Sequence, residues 1–139
     1  MYGSVFYIGE VSEHSREISL WTMEWLEENH LYAGPCVYAC TNTELALESL
    51  AKPLEEGQPP SLIIIDHSDQ IPGIEEFSHK IRSCLPECWI VDLVRKHSHL
   101  PLDLTAFVIK KPVRKDDWLD ILTHIYLKAS TPQWSRTLD

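Results

Sequence analysis

Ser61-Leu62-Ile63-Ile64-Ile65-Asp66-His67 constrains this chain more than any other stretch. Four apolar residues, three of them β-branched, follow Pro59-Pro60 and stop at a carboxylate. A run that short, apolar on both faces, predicts a central strand of a parallel sheet covered by helices above and below. In open α/β sheets, ligands and chemistry gather beyond the carboxyl ends of the strands. Asp66 stands at such an end and is the first candidate functional residue.

The rest of the chain supplies the flanking elements. Ser4 to Ile8 reads as a first strand closed by Gly9-Glu10, and Ser12 can cap a helix in which Ile18, Trp21 and Trp25 share a face. Cys36 to Cys40 reads as a second strand. Thr41-x-x-Glu44 has capping-box spacing and opens a helix with Leu47, Leu50 and Ala51 on one side, stopped by Pro53. After Asp66 a loop leads to Ile74, Phe77 and Ile81 at helical spacing, and Cys88 to Val94 makes a fourth strand. Arg95 to Ala106 leaves little room for a full helix. Phe107-Val108-Ile109 is a fifth strand, followed by Lys110-Lys111-Pro112. Asp116-Asp117 opens a last helix with Trp118, Ile121, Leu122 and Ile125 as its buried stripe. The pattern is β-α repeated, so the expected architecture is a parallel sheet with helices on both faces. We expect one domain over residues 1–129, with 130–139 a polar C-terminal tail or linker.

Charge and composition remove several function classes. Residues 1–79 hold 14 acids against Arg16 and Lys52, whereas residues 80–139 carry a net charge of +3. So acidic a first half argues against nucleic-acid binding through phosphate neutralisation. No apolar run approaches the roughly 18 residues that span a bilayer, and a cytoplasmic, non-membrane protein is expected. The five glycines are scattered, so a phosphate-cradling loop lacks its backbone chemistry. Asp66 and His67 are sequence neighbours on a strand and point to opposite faces, which makes them a poor catalytic dyad. His97 and His99, with Asp92 or Asp103, could ligate a metal, but solvated or satisfied histidines explain them better. No enzyme motif is present, and the chain is read as a non-enzyme.

The order of landmarks carries a family resemblance. Gly9-Glu10 ends the first strand, Asp66 the third, with Ile71-Pro72-Gly73 in the following loop, and Lys111-Pro112 ends the fifth. This resembles the receiver domain of two-component response regulators, the CheY-like group, from Val5 to Leu127. The resemblance implies a flavodoxin-like α/β fold: a five-stranded parallel sheet of order 2-1-3-4-5, here with the fourth helix short or missing. It implies Asp66 as phosphoacceptor, Glu10 as one member of an acidic pocket, Lys111 as the lysine that reaches the phosphoryl group, and a cis bond before Pro112. No cofactor or metal is expected; the resemblance leaves weak Mg²⁺ binding at Glu10 and Asp66 as the one option. In that order of strands the pairs Cys36/Cys40 and Cys84/Cys88 lie about three strand spacings apart, roughly 14 Å at ~4.8 Å each. One metal site cannot bridge that distance, and buried free thiols are the better reading.

The chain also departs from the family's pattern. Gly9 occupies the place of the second acid. Leu93, Val94 and Arg95 offer no hydroxyl where a Ser or Thr follows the fourth strand, and Asp92 would repel a phosphoryl group there. Phe107 takes the place of the switch aromatic only if Lys110 replaces Lys111 in the lysine role. The expected function is therefore a pseudo-receiver: a signalling module that works through protein–protein contacts without orthodox phosphotransfer. The alternatives are a divergent receiver phosphorylated on Asp66 with Mg²⁺, and a regulatory segment of a larger signalling enzyme. Ile63 to His67, Ile81-Arg82-Ser83 and Ile90 to Lys96 look like the receiver-type segment ahead of a PAS domain in some animal cyclic-AMP phosphodiesterases. Partners are expected to be a protein or the remainder of a longer chain, with a homodimer as one option. The basic cluster Lys110, Arg114 and Lys115 is the candidate contact surface.

Overall fold

The computed structural model describes residues 4–31, 37–66, 71–94, 106–128 and 137–138. Five parallel strands form its centre: β1 (Val5–Ile8), β2 (Val37–Cys40), β3 (Leu62–Asp66), β4 (Trp89–Val94) and β5 (Phe107–Lys110), in the order β2-β1-β3-β4-β5. β3 lies between β1 and β4, with Ile64 opposite both Tyr7 and Val91. All five of its residues are buried.

That burial explains the apolar run. Leu62 and Ile64 face one core, together with Val5, Tyr7, Val91 and Leu93. Ile63 and Ile65 face the other, with Phe6, Ile8 and Ile90. One strand feeds two cores, so no position on it can be polar until it ends. Each fully buried Ile or Leu is worth about 1.5–3 kcal/mol relative to exposure.

Helices α1 (Glu13–Glu28) and α4 (Lys115–Thr123) cover the first core, and α4 continues as a π-helical turn over His124–Lys128. Helices α2 (Thr43–Glu55) and α3 (Ile74–Cys84) cover the second. Ser12 caps α1, exchanging hydrogen bonds with Ser15. The fully buried Trp118 donates through its indole Nε1 to Thr22 Oγ1 at 2.9 Å, and Thr22 donates on to the Ile18 carbonyl. This chain of bonds fastens α4 to α1 without leaving a buried donor unsatisfied.

Helix α2 departs from expectation in three ways. Its cap is Asn42, whose side chain accepts from the Leu45 N–H, not Thr41. Its buried residues are Ala46 and Leu50, while Leu47 and Ala51 face solvent. The buried stripe is one Ala-Leu pair at i,i+4, narrower than the leucine content implies. Pro53 does not stop the helix, which runs to Glu55; in the last turn a missing N–H removes only one bond.

The segment 95–105, where the short or missing fourth helix was expected, lies outside the described residues, as do Cys36 and Ser130–Gln133. The C-terminal segment contributes β6 (Thr137–Leu138), parallel to β5 through Val108 and Ile109. Cys40, Cys84 and Cys88 are free thiols; Cys40 and Cys88 are buried, which pushes their thiols above the ordinary pKa, whereas Cys84, expected to be buried, is exposed at the end of α3. No helix among the described residues is long and apolar enough to cross a membrane.

Candidate functional site

Strand pleating decides what meets at the carboxyl edge. Side chains alternate along each strand, so Val5, Tyr7 and the Gly9 position share a face, as do Leu62, Ile64 and Asp66, and Phe107, Ile109 and Lys111. The first two of each trio lie in the same core. The third of each then converges at the rim above it.

Lys111 reaches Asp66 with its ammonium, Nζ lying 3.1 Å from Oδ1 and 2.9 Å from Oδ2. Both side chains are nearly closed to solvent, at 9% and 6% exposure, so the pair is not a screened surface contact. The Lys111 N–H donates to the Val94 carbonyl at 2.7 Å, which fixes the backbone from which the side chain departs. The Lys111–Pro112 bond is cis. Lys110 points the other way and is exposed, so Lys111 is the lysine that faces Asp66. Phe107 then shares the Lys111 face and is buried against Trp89, its ring stacked at 6.0 Å.

A third group completes the arrangement, and sequence reasoning missed it. The Tyr7 hydroxyl donates to Asp66 Oδ2 at 2.8 Å in a buried contact spanning 59 residues of chain. Burial first, then the hydrogen bond to Asp66 and its charge, push the Tyr7 pKa well above its ordinary value, so the phenol stays a donor. The available signal was a tyrosine inside an otherwise apolar buried strand, which needs a hydroxyl partner. Its partner becomes visible only once the register of β1 on β3 is known.

Gly9 closes the site from the β1 side. It lies one step beyond the Ile8–Ile65 pair, with its N–H donating to the Cys40 carbonyl at 2.9 Å. Its φ is +154°, and a Cβ built on it would stand 2.6 Å from the Asp66 Cβ and 3.5 Å from the Asp66 Cα. Real Cβ atoms do not approach that closely. The place of the second acid is therefore filled by the flank of Asp66 itself.

Glu10 follows and is exposed. The donor set does not fit Mg²⁺ binding at Glu10 and Asp66: Gly9, in the place of the second acid, brings no carboxylate, and both Asp66 oxygens already accept from cationic or phenolic donors. Among the described residues, no group of three or more His, Cys, Asp or Glu could hold a metal ion.

The end of β4 offers Leu93 opposite Asp66 and Val94 opposite Lys110, both buried. Asp92 is fully buried and paired with Ile65 and Val108. By strand alternation it faces the core opposite to Asp66, so the expected repulsion at the phosphoryl position does not arise from it. His67, Arg95, His97, His99 and Asp103 lie outside the described residues. Lys110, Arg114 and Lys115 are exposed on the rim. Next to them the Val113 N–H donates to His14 Nε2 at 3.0 Å, tying the loop after Pro112 to the start of α1.

No family model matches the sequence, and no curated protein matches it. Solved structures do match. A response regulator receiver domain protein from Clostridium thermocellum superposes with a TM-score of 0.60 at 15% identity, covering 88% of this chain and 93% of the other. The N-terminal domain of a response regulator/sensory box/GGDEF 3-domain protein from Carboxydothermus hydrogenoformans gives 0.61 at 14% identity, covering 88% and 92%. A putative pilus assembly-related protein from Burkholderia pseudomallei gives 0.62 at 8% identity, covering 94% of each chain. At these identities the likeness establishes the fold: a CheY-like receiver fold with sheet order 2-1-3-4-5.

Proposed function

We propose that this chain is a regulatory module of a signalling system, a pseudo-receiver that acts through protein–protein contacts and does not use Asp66 for orthodox phosphotransfer. The observation that carries the reading is the occupation of Asp66. Its carboxylate is held by Lys111 on both oxygens and by the Tyr7 hydroxyl on one, beside a glycine whose position has no room for a side chain. Phosphoryl transfer to a carboxylate needs a free nucleophilic oxygen and a cation that offsets the charge of the donor. Here the oxygens are engaged and the second acid is missing. Asp66, Tyr7 and Lys111 together look like a polar rivet in the sheet edge.

The competing reading is a divergent receiver that is phosphorylated on Asp66 with Mg²⁺ bound at Glu10 and Asp66. It draws on the retained Asp66–Lys111 contact. Incubation with acetyl phosphate and Mg²⁺, followed by reductive trapping of any acyl phosphate and peptide mass spectrometry, separates the two. The pseudo-receiver reading expects no trapped product at Asp66; a product that disappears in Asp66→Asn supports the rival.

One structural neighbour is the N-terminal domain of a three-domain response regulator, which favours a module working within a longer cytoplasmic signalling chain, any catalysis residing in other domains. The exposed rim of Lys110, Arg114 and Lys115 is the proposed contact for an acidic partner surface.

A further inference from the structure

The α1 side of the β2 edge carries an open trough of about 290 Å³, which has the Tyr7 ring in its lining. The Tyr7 ring, Val11, Leu20, Met23 and Ala39 supply its apolar surface. Val11, Leu20 and Met23 are 49%, 53% and 39% exposed. They are not spare core residues, because α1 already seats Ile18, Thr22, Trp25 and Leu26 against the sheet. Leu20 and Met23 stand three residues apart on the outer part of the helix, and a Leu-Met pair left open beside an edge strand is a contact surface in waiting.

The surroundings say what kind of partner fits. Glu24 and Glu27 stand one turn beyond Leu20 and Met23, and Glu13 one turn before Arg16, all exposed. Arg16 lines the trough itself, but on α1 it is outnumbered by the exposed Glu13, Glu17, Glu24, Glu27 and Glu28, and across residues 1–79 only Arg16 and Lys52 offset 14 acids. Anionic surfaces are repelled by that field, and cationic ones are drawn to it. The polar lining is Ser15, Arg16 and Ser19, and the Ser15 hydroxyl is already committed to the Ser12 carbonyl. We propose that the trough is a docking site for a basic amphipathic helix of a partner protein, its apolar stripe on Leu20 and Met23 and its Lys or Arg flanks against Glu13, Glu24 and Glu27. This rests on the reading of the chain as an interaction module and specifies the surface and the partner's chemistry.

The test uses the 139-residue protein and a fluorescein-labelled Leu/Lys peptide of about five helical turns, with leucines on one face. Anisotropy is compared with a scrambled peptide of the same composition and with a Leu/Glu peptide. Saturable binding is expected for the amphipathic Leu/Lys peptide, about tenfold tighter than for either control. Leu20→Glu should weaken it about tenfold although it adds an attractive negative charge, while Leu54→Glu on the exposed face of α2 leaves it unchanged. Absence of binding, equal binding of the scrambled peptide, or undiminished binding to Leu20→Glu each overturns the proposal. So does self-association of the free protein that Leu20→Glu abolishes, which would assign the trough to a second copy. Failure of this proposal leaves the reading of Asp66 standing, because its phosphorylation is read separately by acetyl phosphate trapping.

Discussion

The Tyr7 hydroxyl and the Asp66 carboxylate meet at 2.8 Å inside the sheet edge, one from β1 and the other from β3. A phenol that donates to a buried carboxylate does structural work: it replaces water that the carboxylate lost on folding. Tyr7→Phe keeps the ring and removes the donor. We expect it to lower stability by about 1.5–3 kcal/mol, the range for a hydrogen bond to a charged group, as measured by urea unfolding. Stability unchanged within about 0.5 kcal/mol would mean that the bond is not part of what holds the edge.

The same bond sets an alkaline limit. Because the folded Tyr7 pKa is raised, the unfolded chain releases the phenolic proton first, near the ordinary value of about 10. Stability from this group is full below that pH and falls as pH rises above it. The buried Cys40 and Cys88 thiols act in the same sense from a lower starting pH. Wild type should therefore lose stability more steeply than Tyr7→Phe between about pH 10 and 11.5, while both share the thiol contribution below that. Parallel curves across the whole range would contradict the assignment.

Gly9 is held by space as much as by φ. Gly9→Ala puts a methyl where the Asp66 Cβ already stands, and overpacking of that kind costs about 1–3 kcal/mol. Gly9→Asp, which restores the family's acid on paper, should destabilise further and create no Mg²⁺ affinity. Calorimetry with Mg²⁺ on the refolded variant checks this; a saturable Mg²⁺ isotherm would show that the edge can open to admit a ligand.

Lys111→Met removes the cation and leaves its stem length. The carboxylate then lacks its charge partner in a nearly closed site, and the loss expected is about 3–5 kcal/mol. Lys110→Met, one residue away on the exposed side, should stay within about 0.5 kcal/mol of wild type in the same denaturation measurement. Equal effects would erase the distinction that strand alternation draws between the two lysines.

That distinction marks where the sequence was readable and where it was not. The two-sided burial of Leu62 to Ile65 is written in their composition, while the strand order came from the resemblance to receiver domains. The Ser12 cap and the stripes of α1, α3 and α4 are local and periodic, so they were legible. The α2 stripe was not: Ala46 and Leu50 are buried while neighbouring leucines are exposed, a choice made by the sheet against which the helix lies. Tyr7 escaped because a side-chain hydrogen bond across 59 residues depends on register, and register follows from packing. Lys111 and Lys110 differ only in parity, which a tight fifth strand settles once its neighbours are placed. Asp92 looked like part of the Asp66 site because it is close in sequence to the β4 terminus, yet one step along a strand turns a side chain to the other face.

The β5 edge yields a separate expectation. Thr137–Leu138 pairs with Val108 and Ile109 along it. Unpaired strand edges invite association. Light scattering after size exclusion should therefore find the full chain monomeric and a version ending at Ala129 shifted toward dimer. Identical masses for the two would show that β6 does not protect the edge.

The central claim is that Asp66 is bound into the sheet by Tyr7 and Lys111 and is not available to a phosphoryl group. Titration of the ¹⁵N-labelled protein with beryllofluoride and Mg²⁺ tests it most directly, because the complex mimics an acyl phosphate and reports on the backbone amides around it. The account predicts no saturable shift at the amides of Gly9, Asp66 or Lys111. Saturable shifts at those three positions, lost in Asp66→Asn, would contradict it.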